Sequence, residues 1–276
     1  MSEPNHARRF ATLWIVSTII ALPIVLLWVG PLLGPPEGSV QAGDQATTMT
    51  VMALIATPVL LLVVLFLIYA TIFFRQAPGA VLEGPAVRGD ARIQTTWIIV
   101  TSLMVLSIAI YGSVELVGGN GVGSGSGPTP LTSPSGHKVR VQVIGQQWAW
   151  TYRWPEYGGV ETPHLVLPVN ENIELNVTSL DVIHSLWIYQ LGVKADANPD
   201  VNNIAYVKPT HEQTFEVRCA ELCGIWHGAM FDHGKVVSDA AFQKWIAAMQ
   251  VKFAPATKAL PPFSLTYLPE PTRRGG

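Results

Sequence analysis

The chain has only two cysteines among its 276 residues, Cys219 and Cys223. It lacks the C-x-x-C-H pattern that attaches a c-type haem, so no haem of that kind is fused to it. It also lacks a basic run, and a net charge of −2 gives no reason to expect a nucleic-acid partner. No internal repeat is visible. Electrostatic contacts with a partner must therefore come from local patches of charge.

Charged side chains are nearly absent from three long apolar stretches in the first half of the chain. Residues 13–33 and 51–74 contain none, and residues 96–117 contain only Glu115. Each stretch has about 20 residues, enough to cross a hydrocarbon core of ~30 Å as a helix. Buried core helices are the alternative, but these are normally amphipathic and shorter. The pattern therefore predicts two or three transmembrane helices.

The first of these stretches allows two interpretations. It follows His6, Arg8 and Arg9, as the core of a signal peptide does, and Val40-Gln41-Ala42 offers a small-residue cleavage site. The apolar run is, however, longer than a usual signal core. Residues 1–50 are thus either a signal sequence or an extra transmembrane helix with an outside loop.

Arginine distribution predicts the orientation in the membrane. The loop 75–92 contains three arginines, whereas the loop 34–50 contains two acidic residues and no Lys or Arg. The positive-inside rule places the arginine-rich loop in the cytoplasm. Everything after residue 117 is then outside. We expect a multi-pass protein of a bacterial inner membrane whose C-terminal domain is periplasmic.

The second half of the chain reads as a linker, a β domain and a tail. Residues 118–136 are rich in Gly, Ser and Pro and follow the helical hairpin of residues 51–117. Residues 137–250 contain short alternating segments separated by turn residues, a pattern typical of a sandwich or barrel. Strand candidates are residues 138–143, 147–154, 164–168, 172–178 and 213–218. Residues 240–249 are predicted to form a short helix, and residues 251–276 a proline-rich extended tail.

Metal-binding side chains are concentrated in residues 219–230. This segment contains both cysteines, His227 and Met230, and His184 lies upstream. Thiolate and thioether are soft donors and imidazole is borderline, a set that selects copper over magnesium or calcium. Zinc is an alternative that Met230 disfavours, because zinc sites use cysteine, histidine and carboxylate. A disulfide between the two cysteines is the other alternative.

These residues resemble the pattern of subunit II of the haem–copper oxidases, of the cytochrome c oxidase type. His184 precedes Cys219 by 35 positions, and residues 219–230 match C-x-E-x-C-x-x-x-H-x-x-M at every ligand position. The aromatic segment 147–152 and the loop 83–97 resemble the same family. The resemblance implies a membrane-anchored all-β protein, in which two or three N-terminal transmembrane helices precede a cupredoxin-like Greek-key β-barrel.

The resemblance also implies a dinuclear copper A centre with two copper ions. Carried over to this sequence, Cys219 and Cys223 would bridge the coppers as thiolates, and His184 and His227 would each bind one of them. Thiolate bridges let one electron spread over both metals, so little rearranges when it arrives or leaves. Both cysteines must be deprotonated, which copper enforces by lowering their pKa.

Further roles follow from the same resemblance. Met230 would be a weak ligand to one copper and the backbone carbonyl of Glu221 to the other, with the Glu221 side chain facing a magnesium or manganese site shared with subunit I. Trp148 matches the family's surface tryptophan that receives electrons from cytochrome c; a packing aromatic is the alternative. Asp181 and Asp196 match acidic positions near the docking face, with a solvated surface charge as the alternative for each.

Some positions depart from the family or match nothing in it. Gln94 stands where the family often has the glutamate that marks a proton path into subunit I, and glutamine cannot ionise. Residues 200–203 replace the usual Gly-Arg-x-Asn, which weakens the case for a standard basic cytochrome c and leaves a cupredoxin or a membrane-bound cytochrome as the donor. His164, His211 and His233 match no ligand spacing, and we expect surface or capping roles for them.

The leading hypothesis is an electron-input subunit of a terminal oxidase. It would accept electrons from cytochrome c or a similar periplasmic donor and pass them to haem in subunit I, where oxygen is reduced to water and protons are pumped. The expected partners are subunits I and III, the membrane and the donor. Alternatives are a copper A subunit of a nitric oxide reductase and a membrane-anchored copper-binding assembly protein.

Overall fold

The structure is a computed structural model that describes residues 5–75, 79, 89–118, 127 and 129–254. The start of the family-like loop at residue 83, the Gly/Ser-rich part of the linker and the tail from residue 255 lie outside the described residues. The chain divides into two compact units. A helical unit comprises Met1–Pro31 and Met49–Gly118, and a β unit comprises Leu32–Thr48 and Gly119–Gly276.

Three helices in the described part of the chain are long and apolar enough to cross a membrane. They are α1, His6–Leu33; α2, Val40–Phe73; and α3, Ala91–Gly118. A π-helical stretch, Val25–Val29, interrupts α1 shortly after Pro23, whose ring cannot sit in an undistorted helix interior. The N-terminal apolar helices of the predicted fold class are confirmed.

Helix α2 begins well before the apolar stretch predicted from residue 51. Ser39 precedes its first turn, and the Ser39 hydroxyl oxygen accepts a hydrogen bond from the Ala42 N–H at 3.0 Å, as an N-cap does. The first turns carry polar residues such as Gln41 and Asp44. Hydropathy detects only the apolar part of such a helix, so the polar extension was not predicted.

The β unit is a sandwich of two five-stranded sheets, as the cupredoxin-like prediction requires. The first sheet has the strand order β3-β2-β1-β5-β8 and the second β4-β10-β9-β6-β7. The strands are β1 Val139–Gln146, β2 Ala149–Trp154, β3 Val160–Thr162, β4 Val166–Pro168, β5 Ile173–Ser179, β6 His184–Ile188, β7 Val193–Ala197, β8 Asn203–Val207, β9 Gln213–Cys219 and β10 Phe231–Val237. Most neighbours are antiparallel, whereas β1 pairs with β5, and β4 with β10, in parallel.

One apolar core lies between the sheets. Alternate residues of β1, Val139, Val141 and Val143, are buried together with side chains from the second sheet. Helix α4, Asp239–Lys252, contributes Phe242 to this core, and the Phe242 ring lies 5.5 Å from that of Trp154. The predicted short helix at residues 240–249 is thereby confirmed. A rigid, filled sandwich can hold side chains at its strand ends in fixed positions.

Candidate metal centre

Three of the predicted donors lie at strand ends on the same end of the second sheet. His184 is the first residue of β6 and Cys219 the last of β9, and these strands are antiparallel neighbours with Leu186 opposite Cys219. Met230 directly precedes β10, which pairs with β9. The Cys219 N–H donates to the Met230 carbonyl at 3.1 Å. The sheet therefore fixes the spacing of residues that are far apart in sequence.

Two thiols lie at the centre of this group. The Sγ atoms of Cys219 and Cys223 are 3.8 Å apart, far beyond the about 2.0 Å of a disulfide bond, and both cysteines are free. The Nδ1 atom of His184 is 3.8 Å from the Cys219 sulfur, and that of His227 is 3.5 Å from the Cys223 sulfur. Each thiol thus has an imidazole nitrogen beside it.

Each thiol also has a second, weaker donor. The Met230 thioether sulfur is 3.9 Å from Cys223 Sγ, and the Glu221 carbonyl oxygen is 3.2 Å from Cys219 Sγ. His184 is fully buried and Met230 is 1% exposed, whereas His227 is half-buried and Glu221 is exposed. The donor cluster therefore reaches from the interior of the β unit to its surface.

The loop between β1 and β2 is hydrogen-bonded to residues 219–230, which carry most of the candidate donors and which we call the metal-binding loop. The Cys223 carbonyl accepts two hydrogen bonds, from Gln147 Nε2 at 2.8 Å and from Trp148 Nε1 at 3.1 Å. Gly224 follows with a φ of +117°, and a Cβ there would meet Gln147 Nε2 at 3.1 Å and the Trp148 ring at 3.2 Å. Only glycine allows this backbone conformation together with so close an approach.

Comparison with known proteins gives this donor cluster a family. The family model described as "Cytochrome C oxidase subunit II, periplasmic domain" matches residues 160–236, which include all six donors. The chain is 28% identical to the cytochrome c oxidase subunit 2 of Thermostichus vulcanus, covering 85% of this chain and 84% of the relative. The chain belongs to the cytochrome c oxidase subunit II family. It is also 27% identical to the Bacillus subtilis (strain 168) cytochrome c oxidase subunit 2, covering 86% of this chain and 68% of that protein.

A solved structure shows similarity to the β unit of this subunit II chain. It is the periplasmic domain of subunit II of cytochrome oxidase (CoxB) of Bradyrhizobium japonicum. The sequence identity is 32%, with 42% of this chain and 95% of that chain covered and a TM-score of 0.41.

In this subunit, the Asp181 carboxylate lies beside Nε2 of His184, the ring nitrogen that does not face Cys219. Asp181 Oδ1 lies 2.9 Å from His184 Nε2, and Oδ2 accepts from the Gln147 N–H at 2.7 Å. Desolvation tends to raise the pKa of Asp181, but hydrogen bonds from Gln147, His184 and Val182 outweigh it and lower the pKa below its ordinary value. An ionised carboxylate at this position accepts a hydrogen bond from the Nε2–H of His184, which leaves Nδ1 unprotonated beside the thiol and able to bind a metal ion.

The Cys223 thiol resists ionisation on its own. Burial, followed by a hydrogen bond and the charge from Cys219, raises the pKa of Cys223 to about 11. A metal ion must therefore displace thiol protons when it binds, and its positive charge supplies the free energy for doing so.

The other predicted site residues differ in how they relate to this cluster. Trp148 lies half-buried against the metal-binding loop, and the Glu221 side chain is exposed. Asp196 is not part of the cluster but contacts the residue next to His184, since its Oδ1 accepts a hydrogen bond from the Ser185 hydroxyl at 2.8 Å. His164 is outside the cluster, with its Nδ1 2.6 Å from the Asp232 carboxylate.

The close packing of Gly145 and Trp150 against the His184 ring was not predicted from the sequence. A Cβ on Gly145 would meet His184 Cδ2 at 3.0 Å and the Trp150 ring at 3.2 Å. The rings of Trp150 and His184 lie 6.0 Å apart at 65°. The sequence signal was Gly145, two residues beyond the predicted strand 138–143, because a glycine in a strand often marks the close approach of another group.

Proposed function

We propose that the chain is the electron-input subunit of a terminal cytochrome c oxidase in a bacterial inner membrane, and that its donor cluster holds a dinuclear copper A centre. One observation carries the proposal. Two free thiols lie 3.8 Å apart, and each has an imidazole Nδ1 on its own side. A sulfur-rich set with imidazole suits copper and does not suit magnesium or calcium.

In this proposal the donors divide into strong and weak ligands. Cys219, Cys223, His184 and His227 would hold the two copper ions as the strong ligands. The remaining weak ligands would be the Met230 thioether and the Glu221 carbonyl oxygen. When bound, the copper pair would supply reversible one-electron exchange.

The protein would hold these ligands in fixed positions and shield His184 and Met230 from water. Strand pairing fixes Cys219 beside His184, and Asp181 fixes the orientation of the His184 ring. Burial excludes water from Met230 and His184. A ligand set that does not need to rearrange when charge arrives lets the electron pass quickly, because less of the surroundings must reorganise.

Trp148 would receive electrons in this scheme. Its indole lies at the surface side of the metal-binding loop, and its N–H bonds the Cys223 carbonyl, giving a short route of covalent and hydrogen bonds to a bridging thiol. The donor, a cytochrome c or cupredoxin, would lose one electron. The electron would then pass to haem in subunit I, where oxygen is reduced to water in a reaction coupled to proton pumping.

The exposed Glu221 side chain would face the partner subunit and a magnesium or manganese site shared with it. Subunit III would complete the complex. Gln94 lies exposed near the start of α3, where a glutamine cannot take up and release a proton. A proton path into subunit I would then begin at another residue.

Copper stoichiometry and electron paramagnetic resonance of the full-length chain test the copper assignment. We expect two coppers per chain and one unpaired electron shared equally between them. The variant His227→Ala should lose this spectrum, whereas His233→Ala, whose exposed histidine lies outside the cluster, should keep it. One copper with a mononuclear spectrum would refute the proposal and favour a copper-binding assembly protein.

Rapid mixing with a reduced donor tests the role of Trp148. The variant Trp148→Phe keeps an aromatic ring but loses the N–H that bonds the Cys223 carbonyl, so we expect normal copper content and slower electron uptake. Trp187→Phe is the matched control, because Trp187 is a partly exposed tryptophan of β6 without a bond to the metal-binding loop. Equal rates in both variants would remove Trp148 from the route.

A further inference from the structure

Residues 37–45, which we call the strap, are an integral part of the β unit. They comprise the end of the connection after α1 and the polar first turns of α2, which begins at Val40. Ser39 is 2% exposed, Gln41 4% and Ala42 0%. Such burial is unusual for Ser39 and Gln41, since serine and glutamine side chains are mostly exposed. The strap therefore serves as more than a spacer between two helices.

Backbone hydrogen bonds join the strap to the loop that follows β8. The Val40 N–H donates to the Lys208 carbonyl at 3.0 Å, and the Thr210 N–H donates to the Gly38 carbonyl at 3.2 Å. The Lys208 N–H donates to the Gln41 side-chain oxygen at 2.9 Å. The strap thus completes the hydrogen bonding of this loop as an added strand would.

A second set of contacts joins the strap to the turn after β6. The Ser39 hydroxyl donates to the buried Leu191 carbonyl at 2.7 Å, and Gln45 Nε2 donates to the Gly192 carbonyl at 2.6 Å. Gly192 has a φ of +62°, and a Cβ there would lie 2.8 Å from the Ala42 Cα. The turn is therefore shaped to let the backbone of the strap lie directly against it.

Within the helical unit, α1 pairs with α2 along its length. His6 Nδ1 lies 2.9 Å from the Tyr69 hydroxyl, and Trp14 Nε1 donates to the Pro58 carbonyl at 2.8 Å. Near the other end, a Cβ on Gly30 would meet the Thr50 side chain at 2.7 Å. Small residues and polar bonds of this kind are what hold helices together in lipid.

We propose that the first apolar helix is retained in the mature protein as a permanent third membrane helix, and that the strap is a structural part of the periplasmic domain. The candidate cleavage site ends at Ala42. A cut there would remove Ser39, Gln41 and the Val40 N–H, and leave the buried Leu191 carbonyl and both backbone groups of Lys208 without partners. A signal peptide that is removed would not be expected to complete the hydrogen bonding of buried groups in the mature domain.

The intact mass of the native protein tests this directly. The full-length chain is expressed in a bacterial host with a C-terminal tag, purified from membranes and weighed. We expect a chain that retains α1, close to 29.9 kDa plus the tag. A mature chain that begins at Gly43 would overturn the proposal. Neither result depends on copper or on electron transfer.

A pair of glycine variants tests the strap. Gly192 and Gly158 both end short 3-10 helices with positive φ, +62° and +74°, so alanine strains both backbones alike. Only at Gly192 would the new methyl group strike the strap, because a Cβ on Gly158 meets nothing within 4 Å. We expect limited proteolysis to cut the strap about tenfold faster in Gly192→Ala than in Gly158→Ala. Equal rates would overturn the structural role of the strap.

Discussion

The Asp181 carboxylate orients the ring of His184, a candidate metal ligand. It is only partly exposed, it accepts from His184 Nε2 at 2.9 Å, and its pKa is lowered by three hydrogen bonds. We expect Asp181→Asn to weaken copper binding by about 10–100-fold, the usual cost of losing a carboxylate behind a histidine ligand. Competitive copper titration measures this effect. Asp200→Asn is the matched control, since Asp200 is exposed; equal losses in both variants would contradict the role given to Asp181.

The Cys223 thiol predicts a pH dependence of the metal-free protein. Its pKa is raised by burial from 9.0 to about 11 in the folded state. Between these values the unfolded thiol loses its proton while the folded thiol keeps it, so stability falls as pH rises from about 9 towards 11. Below about pH 9 the thiol contributes no pH dependence.

Urea unfolding of chelator-treated protein measures this loss, which we expect to be on the order of 2 kcal/mol over the full interval. The variant Cys223→Ser removes the ionisable group and should flatten the alkaline part of the profile. A wild-type stability that does not change between about pH 9 and about pH 11 would contradict the assignment.

Sequence spacing singled out the candidate donors that the structure brings together, but not the residues that hydrogen-bond to them. The twelve residues from Cys219 to Met230 carry four of the side chains in order, and His184 was found by its distance from them. The contacts of Gln147 and Asp181 join loops that are distant in sequence. No local pattern encodes such contacts, because they depend on how the two sheets stack.

At the scale of strands, the pairing of β9 with β10 depends on a glycine. Gly234 lies opposite Phe215 in the register, and a Cβ at Gly234 would overlap the Phe215 ring. Phe215 is 1% exposed and cannot turn away into solvent. We expect Gly234→Ala to destabilise the protein by about 1–3 kcal/mol, the usual cost of overpacking.

A double-mutant cycle checks this explanation. Phe215→Leu leaves room above residue 234. The double variant should therefore lose less free energy of unfolding than the two single variants lose together. Chemical denaturation gives all four free energies. Strict additivity would show that the cost of Gly234→Ala arises from the backbone and not from the ring.

The elements differed in how well they could be predicted. Strand β1 was predicted because Val139, Val141 and Val143 alternate with polar residues. Strand β6 was not predicted, because four of its five residues are buried and no alternation remains. Helix α2 was found only in its apolar part, since the turn capped by Ser39 is polar.

For the whole molecule, charge is balanced at short range. Residues 137–276 contain 12 Lys and Arg and 13 Asp and Glu. Several of these charges neutralise each other locally, as Arg153 does with Glu161 at 2.5 Å and Arg218 with Glu216 at 2.6 Å. Charges paired in this way largely cancel each other's field at the surface of the described β unit.

If the chain receives electrons as we propose, this balance predicts that electron delivery is only weakly sensitive to salt. Electrostatic steering raises association rates by about 10–1,000-fold and fades as the Debye length shrinks from about 30 Å at 0.01 M to about 8 Å at 0.15 M. We expect kcat/KM for the donor to change by less than ~10-fold over that range, below the smallest steering effect. Steady-state oxidation of the donor by the assembled oxidase measures it. A steep fall with added salt would instead require a concentrated acidic or basic docking patch, which the interleaved charges of the described β unit do not provide.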